Sequence, residues 1–452
     1  MLEAYFKVRE AGTTVGTEVM AGVTTFMVMA NIIFVNPAIL SFASVPALQG
    51  QGPPFPATLA ATCLVAALMT AAMGLLTNYP LAVASGMGLN AVVAFQLIAG
   101  QKLPWPAAMG VIFLEGVAIT ILVLTGFREA VMNAIPMSQK RAISVGIGLF
   151  ILLIGLVNGG IVRPGTGVLV TLGALTSAKV AVAVAGLFFT LLLLARQVRG
   201  ALLVGILATT VLAIVVNMIG GGRVWTLPGV AVVPSQILAW PDFSTLGQGL
   251  NVEVFWRLGL LAALLTIFSI MLSDFFDTMG TVVGIGAEAG WLDREGRLPR
   301  LNRVLIVDSL GAVVGGACSA SSATTYIESA AGVATGGRTG LTSLVVAAGF
   351  ALALFFAPLA GVVPPEATAA ALVLVGYLMC TLVREIPFGD LEEGFPALLT
   401  MTVMPFTYSI TNGIGAGFVG YTFIKLVRGK GGDVHPMMYA ASVAFVLYFV
   451  LH

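Results

Sequence analysis

Long apolar stretches joined by short polar links run through almost the whole chain. Many reach the roughly 17 to 25 residues that an α-helix needs to cross ~30 Å of hydrocarbon, whereas a β-barrel would show ~10-residue segments of alternating polarity. The pattern predicts fourteen membrane-spanning helices, seven on each side of a Gly- and Pro-rich loop at residues 220–249. These spans are residues 19–42, 57–76, 81–98, 106–125, 143–157, 180–194, 201–219, 254–279, 301–316, 318–337, 341–357, 366–382, 395–410 and 414–427.

Polar and small residues break two of the predicted spans. The third reads YPLAVASGMGLNAVVAF at residues 79–95, and the tenth reads CSASSATTYIESAAGVATGG at residues 318–337. At membrane depth every backbone polar group must find a partner or line a cavity, and transporters hold their cargo at such broken spans. Because the breaks hold matching positions in the two halves, we expect each to contain a short extended run followed by a half-helix, and the cargo to lie there.

Composition supports an integral membrane protein and narrows its function. The chain is 58% hydrophobic and 9% charged, with mean hydropathy +1.03 and net charge +1, against roughly a quarter charged in soluble domains. The absence of a basic block argues against nucleic acid as a partner. Three cysteines in apolar or small-residue surroundings imply no disulfide framework. A mixed-charge N-terminus argues against a cleaved signal peptide, so we expect the first span to remain in the mature protein.

The placement of the 21 Lys and Arg residues predicts the topology. Threading fourteen spans gathers most of them on one side, so the positive-inside rule predicts that both ends of this unit, including the N-terminus, are cytoplasmic. Seven spans place the second half upside down relative to the first, which is the inverted repeat of many secondary transporters. The apolar run at 436–451 is short for a span and is predicted to be a capping, re-entrant or interfacial segment, or a fifteenth span.

Five acids fall inside predicted spans, where a charge costs at least ~2.5 to 3.5 kcal/mol and needs a reason. They are Glu115, Asp274, Asp277, Asp308 and Glu328. No span interior holds a Lys or Arg to match them, so they are expected to be protonated part of the time or to face cargo. Glu328 and Asp274 are the preferred ligand contacts, and the alternative for each is a protonated acid bonded between helices. Asp277 fits a ligand role or a structural one, whereas Glu115 and Asp308 are predicted to support the site.

Backbone groups at the breaks are further candidates. The half-helix after Thr325 and Tyr326 would present N–H groups and a partial positive charge to the cavity. On the opposite side the candidates are Ser85, Gly86, Met87, Gly88 and Asn90, although Asn90 fits a helix-bridging amide equally well. An enzyme finds little support, because the two His, at 435 and 452, form no HExxH motif and no Ser–His pair within a span.

Four segments together resemble a known family. They are TTYIES at 324–329, LSDFFDTMGTVVG at 272–284, ESAAGVATGGRTGLTS at 328–343 and GVTTFMVMANIIFVNPAIL at 22–40. This set resembles the azaguanine-type guanine/hypoxanthine permeases of the nucleobase–cation symporter 2 superfamily, which includes the uracil and xanthine permeases. The family's TTYxE acid falls on Glu328 and its eighth-span acid falls on Asp274. Uracil permeases have Glu at the latter place and His where this chain has Thr278, a difference that favours purines over pyrimidines.

The resemblance implies an all-α polytopic membrane protein with fourteen spans in two inverted seven-span repeats, and with short strands in spans three and ten. It implies a core domain of residues 1–127 and 251–360, and a gate domain of residues 128–250 and 361–452. Base would bind between the strands and spans one and eight, with Glu328, Asp274, Tyr326, Thr325, Ser85, Gly86, Met87 and Asn90 as contacts. Asp274 and Glu328 would also carry the coupling proton.

The expected function is therefore proton-coupled uptake of guanine and hypoxanthine, with adenine as a further candidate, across the cell (inner) membrane. No metal and no cofactor are predicted beyond the transmembrane proton gradient, and the resemblance leaves room for a homodimer. The alternative is an anion transporter or channel of the related sulfate-transporter fold. That alternative would place basic groups near the half-helix termini, where the sequence has none.

Overall fold

The computed structural model describes residues 2–43, 45–125, 134–165, 170–226, 229–234, 236–291 and 298–451. Helices dominate both halves of this part of the chain. The first half contains α1 (Leu2–Tyr5), α2 (Val15–Met29), α3 (Ile32–Leu40), α4 (Phe55–Thr77), β1 (Val83–Ser85), α5 (Met87–Ala91), a π-helix (Val92–Gly100), α6 (Trp105–Thr125), α7 (Met137–Asn158), β2 (Val162–Pro164), β3 (Val170–Leu172), α8 (Ala178–Ala195) and α9 (Ala201–Ile219).

The second half repeats the arrangement of long helices around one broken segment. It contains α10 (Val254–Arg257), α11 (Leu260–Glu288), α12 (Leu301–Ala317), β4 (Ala323–Thr325), α13 (Ser329–Ala334), α14 (Gly340–Ala353), α15 (Ala357–Gly361), α16 (Pro365–Cys380), α17 (Leu391–Thr407), α18 (Ile410–Val427) and α19 (Pro436–Leu451), with single 3₁₀ turns between some of them.

The predicted fold class is confirmed: this is a helical membrane protein with a few short strands. Among the described residues, nine helical segments are long and apolar enough to cross a membrane. The count of fourteen spans stays a prediction. The predicted start of the eighth span was wrong, because the chain from Val254 forms only the short α10 and the long helix begins at Leu260. The predicted domain boundary at 127/128 lies outside the described residues.

The last apolar run, residues 436–451, forms α19 and packs against α18. The Phe418 and Phe445 rings meet edge to face with centroids 6.0 Å apart, and the hydroxyls of Thr422 and Ser442 lie 2.8 Å apart. Burial of aromatic and hydroxyl groups on one side therefore fixes this helix to its neighbour.

Polar residues at helix ends explain several element boundaries. The Thr14 hydroxyl accepts from the Thr17 N–H and caps α2, and α4 ends where Asn78 adopts the left-handed conformation with φ 55°. Glu18, buried in the first turn of α2, accepts from the N–H groups of Arg338, Thr339 and Thr342. Since these N–H groups lie at the start of α14, one carboxylate caps that helix and joins the two halves of the chain.

The two broken segments meet as a two-stranded antiparallel ladder. Val83, Ala84 and Ser85 pair with Thr325, Thr324 and Ala323. Flanking bonds extend the ladder, from Gly86 N–H to the Ser322 carbonyl and from Tyr326 N–H to the Ala82 carbonyl, both at 2.9 Å. The backbone groups that would be unpaired at membrane depth therefore satisfy one another.

Two glycines of α12 let β4 approach the helix closely. A Cβ on Gly311 would lie 2.5 Å from the Ala323 carbonyl oxygen, and one on Gly315 would lie 2.1 Å from that of Ser321. Because the two glycines are four residues apart, they share one helix face. Any larger side chain on that face would push the strand away.

The broken third span also contacts the last third of the chain. Gln96, in the π-helix, donates to the Thr411 hydroxyl at 2.7 Å and accepts from the Ile410 N–H at 2.8 Å. Nearby in sequence, Glu392 binds Lys425, Arg428 and Lys430 at 2.6 to 2.9 Å, which ties α17 to the end of α18. Helices α17 and α18 are thus held together by ion pairs at one end, and α18 is joined to the broken span by the Gln96 amide.

Candidate functional site

A cavity lies where β1 and β4 end and the half-helices α5 and α13 begin. The cavity has a volume of about 100 Å³. This is room for several water molecules, each of which needs roughly 10–15 Å³. Its lining residues are Gly86, Met87, Gly88, Leu89, Ile147, Ile151, Ser273, Asp277, Thr281, Thr324, Thr325, Tyr326, Ile327, Glu328, Val375 and Met379.

The cavity has a polar part and an apolar part to its lining. Glu328, Asp277 and Thr325 supply carboxylate and hydroxyl groups. The apolar wall includes Ile147 and Ile151 of α7, together with Val375 and Met379 of α16. A flat, mostly apolar ring with a polar edge suits such a site, since apolar walls bury the ring and a few polar groups fix its orientation.

A larger recess of about 700 Å³ lies elsewhere, near residues 41–56 and 361–365, and is lined mainly by small, proline and aromatic residues. No charged side chain is present among its described lining residues. The smaller cavity is the better candidate because it combines burial with two carboxylates.

Five of the eight predicted contact residues line the cavity: Gly86, Met87, Thr325, Tyr326 and Glu328. Ser85 is fully buried and its hydroxyl donates to the Ala320 carbonyl at 2.7 Å. Its own carbonyl accepts from the Tyr326 hydroxyl, so Ser85 supports the site from behind. Asn90 is also fully buried, and neither of its amide atoms has a partner among the described residues.

The eighth predicted residue, Asp274, lies behind the cavity wall. It is 1% exposed, and its Oδ2 accepts from the Ser322 hydroxyl at 2.8 Å. The cavity is lined instead by Ser273, Asp277 and Thr281. These three recur every fourth residue along α11 and therefore share one face of the helix.

Asp308 anchors the exit of β4. Its Oδ1 accepts from both the N–H and the hydroxyl of Thr325 at 2.7 Å, and its Oδ2 accepts from the Thr278 hydroxyl at 2.7 Å. Asp274 holds Ser322 just before the strand, so two buried acids hold β4 at its two ends. The predicted supporting role of Asp308 agrees with this geometry.

Glu328 occupies the N-cap position of α13, and its side chain makes no capping bond. The N–H groups of Ser329 and Ala330 donate to the carbonyls of Tyr326 and Ile327. These first-turn donors are thus used within the chain, which leaves the Glu328 carboxylate as the main polar group that this half-helix presents. Within the described residues, no set of three or more His, Cys, Asp or Glu side chains is placed to hold a metal ion.

A family of permeases matches residues 16–416, which is most of the chain. The chain belongs to this permease family, the nucleobase–cation symporter 2 family. It is a transporter and not an enzyme, as predicted.

Curated relatives extend the match over the full length. The permease is 40% identical to an adenine permease of Escherichia coli over 450 residues, covering 100% of this chain and 96% of that protein. It is 39% identical to a guanine/hypoxanthine permease of Bacillus subtilis, covering 99% of both. The resemblance read from the sequence motifs is therefore confirmed at the level of the family.

A solved structure supports the fold. The transmembrane domain of a cyanobacterial bicarbonate transporter superposes with a TM-score of 0.62 at 16% identity, covering 89% of this permease and 96% of that domain. At that identity the likeness concerns the fold alone.

Sequence reasoning missed the apolar wall and the cavity-facing side of α11 in this permease. The wall residues Ile147, Ile151, Val375 and Met379 lie in helices that are apolar on most sides. They therefore do not differ in polarity from their neighbours in the sequence. The cavity-facing side of α11 could have been predicted, because Ser273, Asp277 and Thr281 form a polar stripe that repeats every four residues.

Proposed function

We propose that this permease imports purine nucleobases, guanine and hypoxanthine first and adenine as a further candidate, by proton-coupled alternating access. The observation that carries the proposal is the cavity at the crossing of the two broken spans, which is lined by two carboxylates together with apolar side chains. The names of the relatives, permeases for adenine and for guanine/hypoxanthine, supply the substrate class.

In the proposed binding mode, Glu328 accepts from ring N–H groups of the purine. Asp277 and Thr325 provide further polar contacts, and the four apolar residues of α7 and α16 cover the ring. Asp274 stands behind the wall and contributes to proton coupling in this scheme. A purine presents alternating donors and acceptors along its edge, so a carboxylate and hydroxyls on one wall give orientation as well as affinity.

The proposed movement is of a core domain (residues 1–127 and 251–360) against a gate domain (residues 128–250 and 361–452). The cavity lies between these two units, because its polar wall comes from the first and its apolar wall from the second. The proposal places the protein in the cell (inner) membrane with its N-terminus in the cytoplasm. In that orientation the C-terminal ends of α11 and α16 face the cytoplasm, and the residues of these helices that line the cavity lie toward those ends. Dimerisation is proposed on the family resemblance only.

Anion transport is the competing function, since the fold is shared with a bicarbonate transporter. Among the described lining residues, however, the cavity holds Asp277 and Glu328 and no Lys or Arg. Two carboxylates without a cation repel an anion, so the electrostatics of the site favour a neutral base.

Binding to detergent-purified protein tests the proposal directly. Labelled hypoxanthine should bind and be displaced by guanine but not by uracil or sulfate. Glu328→Gln should weaken binding about tenfold to 100-fold, because a charge-assisted hydrogen bond contributes roughly 1.5–3 kcal/mol. The exposed Glu10, whose side chain is 70% accessible, supplies the control Glu10→Gln, which should bind like the wild type. Displacement by sulfate, or unchanged affinity in Glu328→Gln, would contradict the proposal.

A further inference from the structure

Glu115 is a fully buried acid on α6 that the binding cavity does not use. The helix around it packs tightly on α12, since a Cβ on Gly116 would lie 2.5 Å from the Val313 nitrogen. Among the described residues, no donor reaches either carboxyl oxygen of Glu115 or Oδ1 of Asp274. The two carboxyl groups are close neighbours, near enough to share a hydrogen bond if one of them carries a proton.

Two ionised carboxylates have no hydrogen to share, so their contact is a hydrogen bond only when one of them carries a proton. Burial adds to this requirement, because like charges taken out of water repel strongly and both cannot stay ionised. The contact between Glu115 and Asp274 therefore has the chemistry of a proton-binding pair.

The surroundings supply no competing cation. The titratable groups that face the pair are Asp308 of α12 and Asp277 of α11, both acids. The ion pairs of the described residues lie elsewhere in the chain, and no described set of acids is placed to hold a metal ion. A proton is consequently the species that best neutralises the pair.

A short chain of bonds links this pair to the cavity. Asp274 accepts from the Ser322 hydroxyl at 2.8 Å, and the Ser322 carbonyl accepts from the N–H of Gly86, a cavity-lining residue, at 2.9 Å. Ser322 also stands directly before β4, whose other end carries the cavity residue Thr325. A protonated Asp274 is a weaker acceptor than a carboxylate, so loading the pair alters the bond that positions β4.

We propose that Glu115 and Asp274 together bind the coupling proton, at a site separate from the base cavity, and that Ser322 is the positioning residue between the two. The proposal rests on the proposed function and refines it. It adds Glu115 to the proton site, and it assigns Glu328 to base binding and not to proton coupling. The pair takes up one proton from one side of the membrane and releases it to the other, with no other bond made or broken.

Glu115→Gln in reconstituted vesicles tests the assignment. The amide donates permanently to Asp274 and mimics the loaded pair. Exchange of labelled hypoxanthine for unlabelled hypoxanthine should stay within about twofold of wild type, whereas accumulation driven by an imposed proton gradient should be lost, because a fixed donor cannot load and unload. The matched control is Glu366→Gln, which alters a buried acid that accepts from the Trp225 indole at 3.0 Å. It should keep both activities.

Ser322→Ala provides a second test if Glu115→Gln fails to fold. It leaves the pair intact but cuts its link to the strand, so base binding should persist while its dependence on pH flattens. Accumulation at the wild-type level in Glu115→Gln, or an unchanged pH profile in Ser322→Ala, would overturn the inference and leave the proposed function standing. Accumulation driven by sodium in the wild type would overturn the choice of ion. A wild-type protein that neither binds nor exchanges hypoxanthine would overturn the proposed function itself.

Discussion

Two groups of acids lie within a short distance of β4, and they differ in what surrounds them. Asp274 and Asp308 accept bonds from Ser322, Thr325 and Thr278 inside the protein. Asp277 and Glu328 open on the cavity instead. Acids at membrane depth therefore divide by their partners, with the interior group holding the strand and the cavity group lining the space proposed for cargo.

The largest effect is expected from removing an interior acid. Asp308→Ala would leave three buried donors without an acceptor, from Thr325 and Thr278, at about 1–3 kcal/mol each. We expect hypoxanthine uptake to fall below about 1% of wild type, a loss of roughly 2.7 kcal/mol or more, and the melting temperature of the purified protein to drop. Asp308→Asn keeps an acceptor oxygen and should retain more of both. Normal melting and uptake in Asp308→Ala would show that β4 needs no such anchor.

A cavity acid should behave differently. Asp277→Asn preserves shape and removes charge from the cavity wall, so KM for hypoxanthine should rise about fivefold to 20-fold, or roughly 1–2 kcal/mol. The melting temperature should be unchanged. Asp242→Asn, in a loop where the side chain accepts from the Ser244 N–H, is the matched control. A lower melting temperature with unchanged KM would move Asp277 into the interior group.

The smallest effect, and the sharpest contrast, comes from two threonines of α11. The Thr278 hydroxyl donates to Asp308 at 2.7 Å, whereas Thr281 lines the cavity. Val has nearly the shape of Thr, so Thr278→Val should lower stability by about 1–2 kcal/mol, and Thr281→Val should change KM less than about threefold at equal stability. Denaturation and uptake curves measured on both variants check the pair. Equal changes in stability and in KM for the two variants would contradict the assignment of Thr278 and Thr281 to different faces of the helix.

The sequence alone revealed the broken spans, because a run of small and hydroxyl residues between apolar segments has no place in lipid unless its backbone is paired. It also revealed the acids, since a carboxylate in an apolar helix stands out. Which of these acid side chains face the cavity was harder to predict from the sequence. The resemblance assigned base contact to Asp274, whereas the structure places Asp277 on the cavity, and the role of Asp274 in contacting base stays a prediction.

The reason is physical. A helix buried on most sides has apolar residues all round, so its periodicity does not say which face meets which neighbour. The direction of α11 is decided by its packing against α6 and β4, where Asp274 bonds to Ser322 just before the strand. The apolar wall that includes Ile147 and Val375 could not be predicted for the same reason, because an isoleucine in an apolar helix does not differ in polarity from its neighbours.

The ladder between residues 83–85 and 323–325 also has a consequence for how the protein is made. At synthesis rates of ~5–20 residues per second, β1 leaves the ribosome on the order of 10 to 50 s before its partner, which is roughly 240 residues further on. During that interval its backbone groups lack their final acceptors and donors, in a medium that offers no substitute. Assembly of the site is thus a late event of biogenesis, and a nascent chain truncated before β4 would retain an unpaired strand for the quality-control machinery to recognise.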